Sequence, residues 1–197
     1  SLSLFRFGTA AQRLWVLGQM GAARFALPHV PGLQFWKLCG SGTGEGFTPR
    51  PNWSVYAILA SWPDAATARA RVADSPVWRR WRAHAVESWT VFLAPTSVRG
   101  HWSGVTPFRA EAEAAPGPLA ALTRATVRPT AMRRFWQREP LISDVIGDNP
   151  DVVFKIGIGE VPLLHQVTFS IWPDTDSIAR FARGDGPHGR AVRAVRE

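Results

Sequence analysis

The chain has 197 residues, of which 46% are hydrophobic and 19% are charged. This composition fits one folded domain or two small fused modules and argues against intrinsic disorder. Twenty-one arginines and two lysines stand against 15 acidic residues, and the resulting net charge of +8 favours anionic partners. The single cysteine, Cys39, excludes an intramolecular disulfide. Without a long apolar run or the order of a signal peptide, the sequence predicts a soluble, cytoplasmic protein.

The two halves of the chain resemble each other, which indicates an internal duplication. Trp62-Pro63-Asp64 recurs as Trp172-Pro173-Asp174, each time after an alternating run that predicts a strand. Other matches keep the same order in both halves: Trp36-Lys37-Leu38 with Phe154-Lys155-Ile156, and Asp74, Pro76, Arg79 and Arg82 with Asp185, Pro187, Arg190 and Arg193. The sequence therefore predicts two copies of one module.

Hydrophobic periodicity predicts the order strand, helix, strand, strand, helix, strand for the first half. These elements are predicted at residues 2–7, 10–27, 33–39, 54–61, 65–87 and 89–94. The second half is predicted to have elements at 119–128, 131–146, 152–158, 165–171 and 176–196, with no counterpart of the last strand. Residues 109–118 are rich in Ala, Glu, Pro and Gly and are the natural linker.

The order β-α-β-β-α-β is that of the ferredoxin-like unit. We therefore expect the α+β class, with tandem ferredoxin-like modules at 1–108 and 119–197 joined by the linker 109–118. Two such sheets packed face to face would form a fused dimeric α+β barrel. The missing last strand leaves two explanations open: a truncated chain, or a partner that covers the sheet edge, such as another copy in a homo-oligomer.

Two stretches of the sequence resemble ligand-binding sites. The glycine-rich stretch 39–46 lacks the Gly-Lys-Ser/Thr ending of a phosphate loop and precedes prolines, not a helix. It is either a flexible connection or a loop bordering a buried ligand. Arginine alternates with tryptophan at 78–82, but Trp78 and Trp81 would share one helical face while Arg79 and Arg80 point elsewhere. Nucleic-acid binding is therefore not expected, whereas contact with anionic lipid headgroups stays open.

The five histidines are candidates for a cofactor site, because a single imidazole can hold haem iron. None has the spacing of a zinc site. His188 and His165 stand where the first copy has Val77 and Val55, which singles them out. Either could instead be an ordinary packed or surface histidine. Cys39 could act as a thiolate ligand, but its place at a strand end favours a small buried hydrophobe.

The two lysines, Lys37 and Lys155, fall at equivalent positions of the two copies in a chain that otherwise uses arginine. Common ancestry with snorkelling side chains would explain this. The alternative is a compact ammonium that donates into a pocket where a planar guanidinium could not serve.

Three strings carry a resemblance to a known family. They are the run from Phe35 to Trp53 (FWKLCGSGTGEGFTPRPNW), the run from Phe154 to Val161 (FKIGIGEV), and the run from His165 to Asp174 (HQVTFSIWPD). With Gly186-Pro187-His188, they resemble the spheroidene monooxygenase family, the acyclic carotenoid 2-ketolases. The similarity covers nearly the whole chain.

The resemblance implies a monooxygenase that inserts a keto group at C-2 of an acyclic carotenoid, using O₂, reduced ferredoxin and haem. An unreactive C–H bond requires a cofactor, and an interior rich in Trp and Phe suits an apolar polyene. The net charge then points to a membrane surface or an acidic ferredoxin, with a location in the cytoplasm or at the periphery of the inner membrane.

Within that resemblance, we expect His188 to be the axial haem ligand, with His165 as second choice. Lys155, or its counterpart Lys37, would lie near the oxygen-binding side or a haem propionate. Two other functions remain open on the same fold: a non-catalytic haem or lipophile carrier, and a relative that oxidises another substrate.

Overall fold

The computed structural model describes residues 1–44, 48, 50–113, 115–126, 151–160 and 164–183. It divides into two compact units, Ser1–Gly40 with Trp53–Ala114, and Ser41–Asn52 with Ala115–Glu197. Antiparallel strands and helices alternate along the chain, so the expected α+β class is confirmed. In order, the elements are β1 (Leu2–Arg6), α1 (Ala10–Ala26), a 3₁₀ turn (Leu27–His29), β2 (Phe35–Gly42), β3 (Pro51–Ser61), α2 (Ala65–Asp74), α3 (Pro76–His84), β4 (Glu87–Val91), β5 (Leu119–Thr126), β6 (Phe154–Gly159), β7 (His165–Trp172) and α4 (Thr175–Arg183).

The first unit has the strand order β4-β1-β3-β2, with β1 antiparallel to both of its neighbours. Its helices cover one face of the sheet. The buried side chains on that side form one cluster, which includes Phe5, Phe7, Val16, Leu38, Tyr56, Ile58, Trp78 and Trp81. Strand alternation explains which strand residues belong to this cluster, because every second residue of β1 and β3 points to the same face.

Helix α3 supplies the two largest side chains of this core. Trp78 and Trp81 are fully buried, whereas Arg79 and Arg80 between them are exposed. This confirms the amphipathic interpretation of residues 78–82. The indole Nε1 of Trp78 donates to the Ser3 hydroxyl at 3.0 Å, so a buried polar pair links the helix to the central strand.

The long helix predicted over 65–87 is wrong, because the structure contains two helices there. Ser75 adopts an extended conformation (φ −66°, ψ 142°) between α2 and α3. A residue that precedes proline avoids helical angles, and Pro76 is well suited to the first turn of the next helix. The break turns α3 so that both tryptophans reach the sheet.

In the second unit, β7 lies between β6 and β5 and is antiparallel to both. One face of this sheet carries Ile158, Val167 and Phe169, all buried. The other face carries Trp172, whose ring lies 5.1 Å from that of Phe181 on α4. The predicted helix 131–146 and the later part of the predicted helix 176–196 lie outside the described residues.

The repeated Trp-Pro-Asp sequence has the same structural task in both units. Asp64 accepts a hydrogen bond from the Thr67 backbone N–H at 2.7 Å, and Asp174 accepts one from the Ser177 N–H at 2.7 Å. Each aspartate therefore caps the helix that follows its strand. These backbone hydrogen bonds, helped by the hydroxyls of Thr67 and Ser177, hold the pKa of both carboxyls below the usual value.

Candidate functional site

Lys37 lies on β2 with its ammonium engaged by neighbours of the first unit. Its Nζ donates to the Ser103 hydroxyl at 2.7 Å and lies 5.3 Å from the ring of Phe35 and 5.9 Å from that of Trp102. The flanking side chains Trp36 and Leu38 pack into the helix-side core. By strand alternation, Lys37 therefore points to the opposite face of the sheet.

The partner of Lys37 belongs to a tight turn. Trp102 and Val105 exchange backbone hydrogen bonds across residues 103 and 104. Ser103 has φ +54° and Gly104 has φ +79°, the left-handed conformation that such a turn requires at both central positions. Trp102 is 3% exposed and packs edge-on against Phe35 at 5.6 Å. Lys37 thus fastens this turn to β2 through a hydrogen bond to Ser103 and a cation–π contact with Trp102.

Lys155 lies on β6 of the second unit, directly across from Ser170 on β7. Its Nζ atom is buried. Ser170 accepts a hydrogen bond from the Trp172 indole at 2.9 Å, so these two side chains share a face. Since Trp172 contacts Phe181, Lys155 lies on the side of the sheet that α4 covers.

His165 opens β7 and pairs with Thr126 on β5. Its Nδ1 atom is buried and has no hydrogen-bond partner in the part of the chain that the structure describes. Buried polar atoms in proteins are nearly always satisfied, so such a nitrogen is a candidate ligand atom. A neutral imidazole nitrogen that carries no proton can donate its lone pair to a metal.

Two charged residues missed by the sequence analysis lie at the same end of this sheet. Arg124 lies on β5, two residues before Thr126, which pairs with His165, so Arg124 and His165 share one face of the sheet. Glu160 directly follows β6. Arg124 Nε and Glu160 Oε1 are 3.8 Å apart, with side chains 21% and 14% exposed. Arg124 interrupts the apolar alternation of Ala120 and Leu122, and that interruption is a signal the sequence contains.

Gly159 makes the close approach of β6 to His165 possible. A Cβ atom at this position would lie 2.5 Å from the His165 carbonyl oxygen, a distance that no side chain tolerates. Any larger residue here must displace the backbone that carries the imidazole.

The structure does not bring the proposed site residues of the second unit together on one face. Lys155 is paired with Ser170, and His165 lies five residues away on β7, roughly 16 Å along the strand. The odd separation places the two side chains on opposite faces of the sheet. His188 lies outside the described residues, and Lys37 belongs to the first unit.

The other candidates are explained by local contacts. His29 and His84 each form a hydrogen bond from Nδ1 to the backbone carbonyl four residues earlier, at 2.9 Å in both cases. Cys39 is fully buried, as expected for a small hydrophobe. The glycine-rich connection predicted to begin at residue 39 starts later, because β2 continues to Gly42. Within the described ranges, no three His, Cys, Asp or Glu side chains form a group that could hold a metal ion.

The fold and this site define an α+β protein with antiparallel strands, in which the second unit holds a lysine with a buried Nζ atom and a histidine with a buried Nδ1 atom. A scan against protein-family profiles gave no match. A spheroidene monooxygenase of Rhodobacter capsulatus is 54% identical over 200 residues, covering 100% of this chain and 83% of the relative. One from Rubrivivax gelatinosus is 34% identical over 187 residues, covering 95% of this chain and 73% of the relative. The chain belongs to the spheroidene monooxygenase family.

A third relative is longer. The spheroidene monooxygenase of Cereibacter sphaeroides is 58% identical over 198 residues, and the chain spans 61% of its length. Among solved structures, an anthrone oxidase-like protein matches with a TM-score of 0.35 and 13% identity over 99% of this chain and 83% of that chain, too distant a likeness to support any conclusion. Within the described residues, no helix has the length and apolar character needed to cross a membrane.

Proposed function

We propose that this chain is a haem-dependent monooxygenase that introduces a keto group at C-2 of acyclic carotenoids such as spheroidene. The observation that carries the proposal is the 54% identity with the Rhodobacter capsulatus spheroidene monooxygenase, which extends over this whole chain. Reduced ferredoxin is the proposed electron donor, and O₂ is the oxidant. An excess of eight positive charges favours encounter with an acidic donor protein.

Conversion of a methylene to a ketone removes four electrons from the substrate. Two rounds of monooxygenation would each consume one O₂, two electrons from ferredoxin and two protons, and would each release one water. The resulting geminal diol loses a further water to give the ketone. Haem would supply the activation of O₂, and the protein supplies binding, orientation and electrostatics.

Two arrangements of haem ligands are compatible with the residues. In the first, His188 would hold the haem iron. Its sequence position follows α4, the helix that covers the face on which Lys155 lies. A buried ammonium on that face could donate to a haem propionate, because pairing with a carboxylate offsets the cost of burying its charge.

In the second arrangement, His165 is the ligand on the opposite face. Its buried Nδ1 without a hydrogen-bond partner in the described residues fits a metal-binding role, and Arg124 on the same face could donate to a propionate. Lys155 would then be too distant to contact the same haem. Lys37 of the first unit donates one of its three N–H bonds to Ser103.

The carotenoid would bind in an apolar interior. For this, the two modules would form the fused dimeric α+β barrel expected from the sequence, whose interior suits the polyene. A crystal structure with bound carotenoid tests this directly, since a substrate lying outside both modules would contradict it.

The visible spectrum of the purified protein tests the haem proposal first. A Soret band is expected in the wild type, and a colourless protein that does not take up added haem would refute haem dependence. His188→Ala and His165→Ala should then separate the two arrangements, because only the true ligand shifts the Soret maximum when removed. His101→Ala, at an exposed position, is the matched control and should leave the band unchanged.

Catalysis is tested separately from haem binding. The haem-loaded protein is incubated with ferredoxin, its reductase, O₂ and spheroidene, and the carotenoid is analysed by mass spectrometry. The expected product has gained one oxygen atom and lost two hydrogens. A protein that binds haem and carotenoid without changing the mass would be the non-catalytic carrier, and turnover of only a different substrate would identify a relative with another specificity.

A further inference from the structure

The solvent side of α1 is apolar, the reverse of the usual pattern for a surface helix. Leu14 is 72% exposed, Leu17 is 41% exposed and Phe25 is 81% exposed. Gly18 and Gly21 lie between them with no atom near the place of a Cβ, so the strip is open to solvent. We call Leu14, Leu17, Gly18, Gly21 and Phe25 the α1 patch. Their spacing of three and four residues places them on one face over roughly 16 Å.

Arginines flank the α1 patch on both sides. Arg13 and Arg24 lie on α1 itself and are exposed, with their Nε atoms directed to the backbone carbonyls of Phe7 and Met20. On the other side, Arg80 of α3 lines a shallow groove with Ala22 and Ala26 of α1. Neither α1 nor α3 contains an aspartate or a glutamate.

A wider depression extends this cationic edge. It has a volume of about 420 Å³ and is lined by Pro76, Arg79, Arg80 and Ala83 of α3. Its two guanidinium groups are exposed, so an anion can reach both. The depression is of a size that could admit a phosphate-bearing headgroup beside the apolar strip.

We propose that the α1 patch and its flanking arginines bind the surface of an anionic lipid bilayer. Leu14 and Phe25 would enter the boundary between headgroups and acyl chains, while the arginines would contact lipid phosphates. An interfacial helix combines these two features, an apolar face and a cationic border. The binding step is independent of the reaction proposed above, since it requires neither haem nor carotenoid.

The charge pattern favours a bilayer over a second copy of the chain. A two-fold contact through α1 would bring Arg13, Arg24 and Arg80 of both copies together, without a carboxylate on α1 or α3 to balance them. An exposed phenylalanine between arginines also matches the depth profile of a bilayer surface, in which apolar chains lie beneath negative headgroups.

Vesicle flotation tests the proposal with the chain as it stands. Binding is expected to phosphatidylcholine vesicles containing about 30% phosphatidylglycerol and to be much weaker to pure phosphatidylcholine. The double variant Leu14→Ser/Phe25→Ser should bind at least tenfold more weakly, because it loses two apolar insertions. Val153→Ser, which alters a 66% exposed valine of the second unit, is the matched control and should bind like the wild type.

The cationic border is tested in the same assay. Arg24→Gln and Arg80→Gln should each weaken binding to the anionic vesicles about fivefold. Equal binding of the wild type to neutral and anionic vesicles, or unchanged binding of the Leu14/Phe25 variant, would refute the proposal. Sedimentation of the protein without lipid tests the alternative, a contact between two copies of the chain. A dimer that Leu14→Ser/Phe25→Ser dissociates, while vesicle binding stays unchanged, would assign the surface to a second copy.

Insertion is measured with a fluorophore that responds to polarity. Because Cys39 is fully buried, a thiol probe attached to the variant Phe25→Cys labels mainly the new position. Its emission should shift to the blue when anionic vesicles are added, whereas the same probe on Val153→Cys should not respond. A probe at position 25 that stays in water while the protein floats with the vesicles would overturn the assignment of this surface.

Discussion

Lys37 and Lys155 occupy the same place in the duplicated sequence but have different surroundings. Lys37 holds the Ser103 turn with a 2.7 Å hydrogen bond and faces away from the helices of its unit. Lys155 faces α4, lies across from Ser170 and has a buried Nζ atom. The duplication thus predicts which positions are related, whereas the segments packed around each position determine what a lysine can do there.

The largest difference should appear in catalysis. In the arrangement with His188 as the haem ligand, Lys155→Met removes a buried ammonium from the reacting site with little change in volume, and we expect it to lower kcat about 100-fold. Lys37→Met should change kcat far less, since the observed contacts of the Lys37 ammonium hold the turn at Ser103 in place. Carotenoid turnover and the Soret spectrum of both variants measure this.

The reverse ranking of the two variants would contradict the roles assigned to the two lysines. If Lys37→Met abolished turnover while Lys155→Met retained it, the first unit would hold the reacting centre. Thermal unfolding of each variant, followed by circular dichroism, separates loss of activity from loss of fold.

A pair of glycine substitutions tests the second unit against the first. Gly159→Ala should destabilise the fold by about 1–3 kcal/mol, because its Cβ would lie 2.5 Å from the His165 carbonyl oxygen and must displace the strand. Gly40→Ala on β2 meets no atom within 4 Å and should be nearly neutral. Urea denaturation measures both, and equal midpoints would contradict the tight approach at His165.

The turn that Lys37 fastens should make a smaller contribution to stability. Ser103→Ala removes the hydroxyl that accepts from Lys37, and we expect a loss of about 1 kcal/mol in the free energy of unfolding. Lys37→Met should cost a similar amount, and the double variant should cost less than the sum, since both changes remove one contact. Strict additivity would show that the two residues do not act together.

The smallest effect concerns the two helix caps. Hydrogen bonds lower the pKa of Asp64 and Asp174 in the folded state, so their contribution to stability is present above the pKa of an unfolded aspartate. It is lost as the pH falls through the folded values. Asp64→Asn and Asp174→Asn should each make unfolding less sensitive to acid between about pH 5 and 3. Urea midpoints measured across that range test this, and two slopes unchanged from the wild type would contradict it.

The sequence was most informative where local rules decide the structure. The three-residue spacing of Trp78 and Trp81 predicted their shared face correctly, and the order of elements predicted the α+β class. The break at Ser75 was missed although Pro76 signalled it, because the apolar periodicity continues across the break. The prediction of a single helix therefore followed the apolar periodicity and neglected the backbone restriction that Pro76 imposes on Ser75.

The site depends on contacts between distant residues, and these could not be predicted. Ser103 lies 66 residues from Lys37, and no spacing rule connects them. The buried Nδ1 of His165 lies where β7 pairs with β5, a strand about 40 residues earlier in the chain, and the sequence does not specify that pairing. In contrast, the placement of Lys155 and His165 on opposite faces follows from strand parity once β6 is paired with β7, so only the register was missing.

The strand-to-helix junctions at Asp64 and Asp174 have the same local structure, so the sequence of one should be able to replace that of the other. Residues 62–67 and 172–177 each end a strand, turn at Pro and start a helix with the same aspartate-to-amide bond of 2.7 Å. A chimaera in which one hexapeptide replaces the other should therefore fold without rearranging its neighbours.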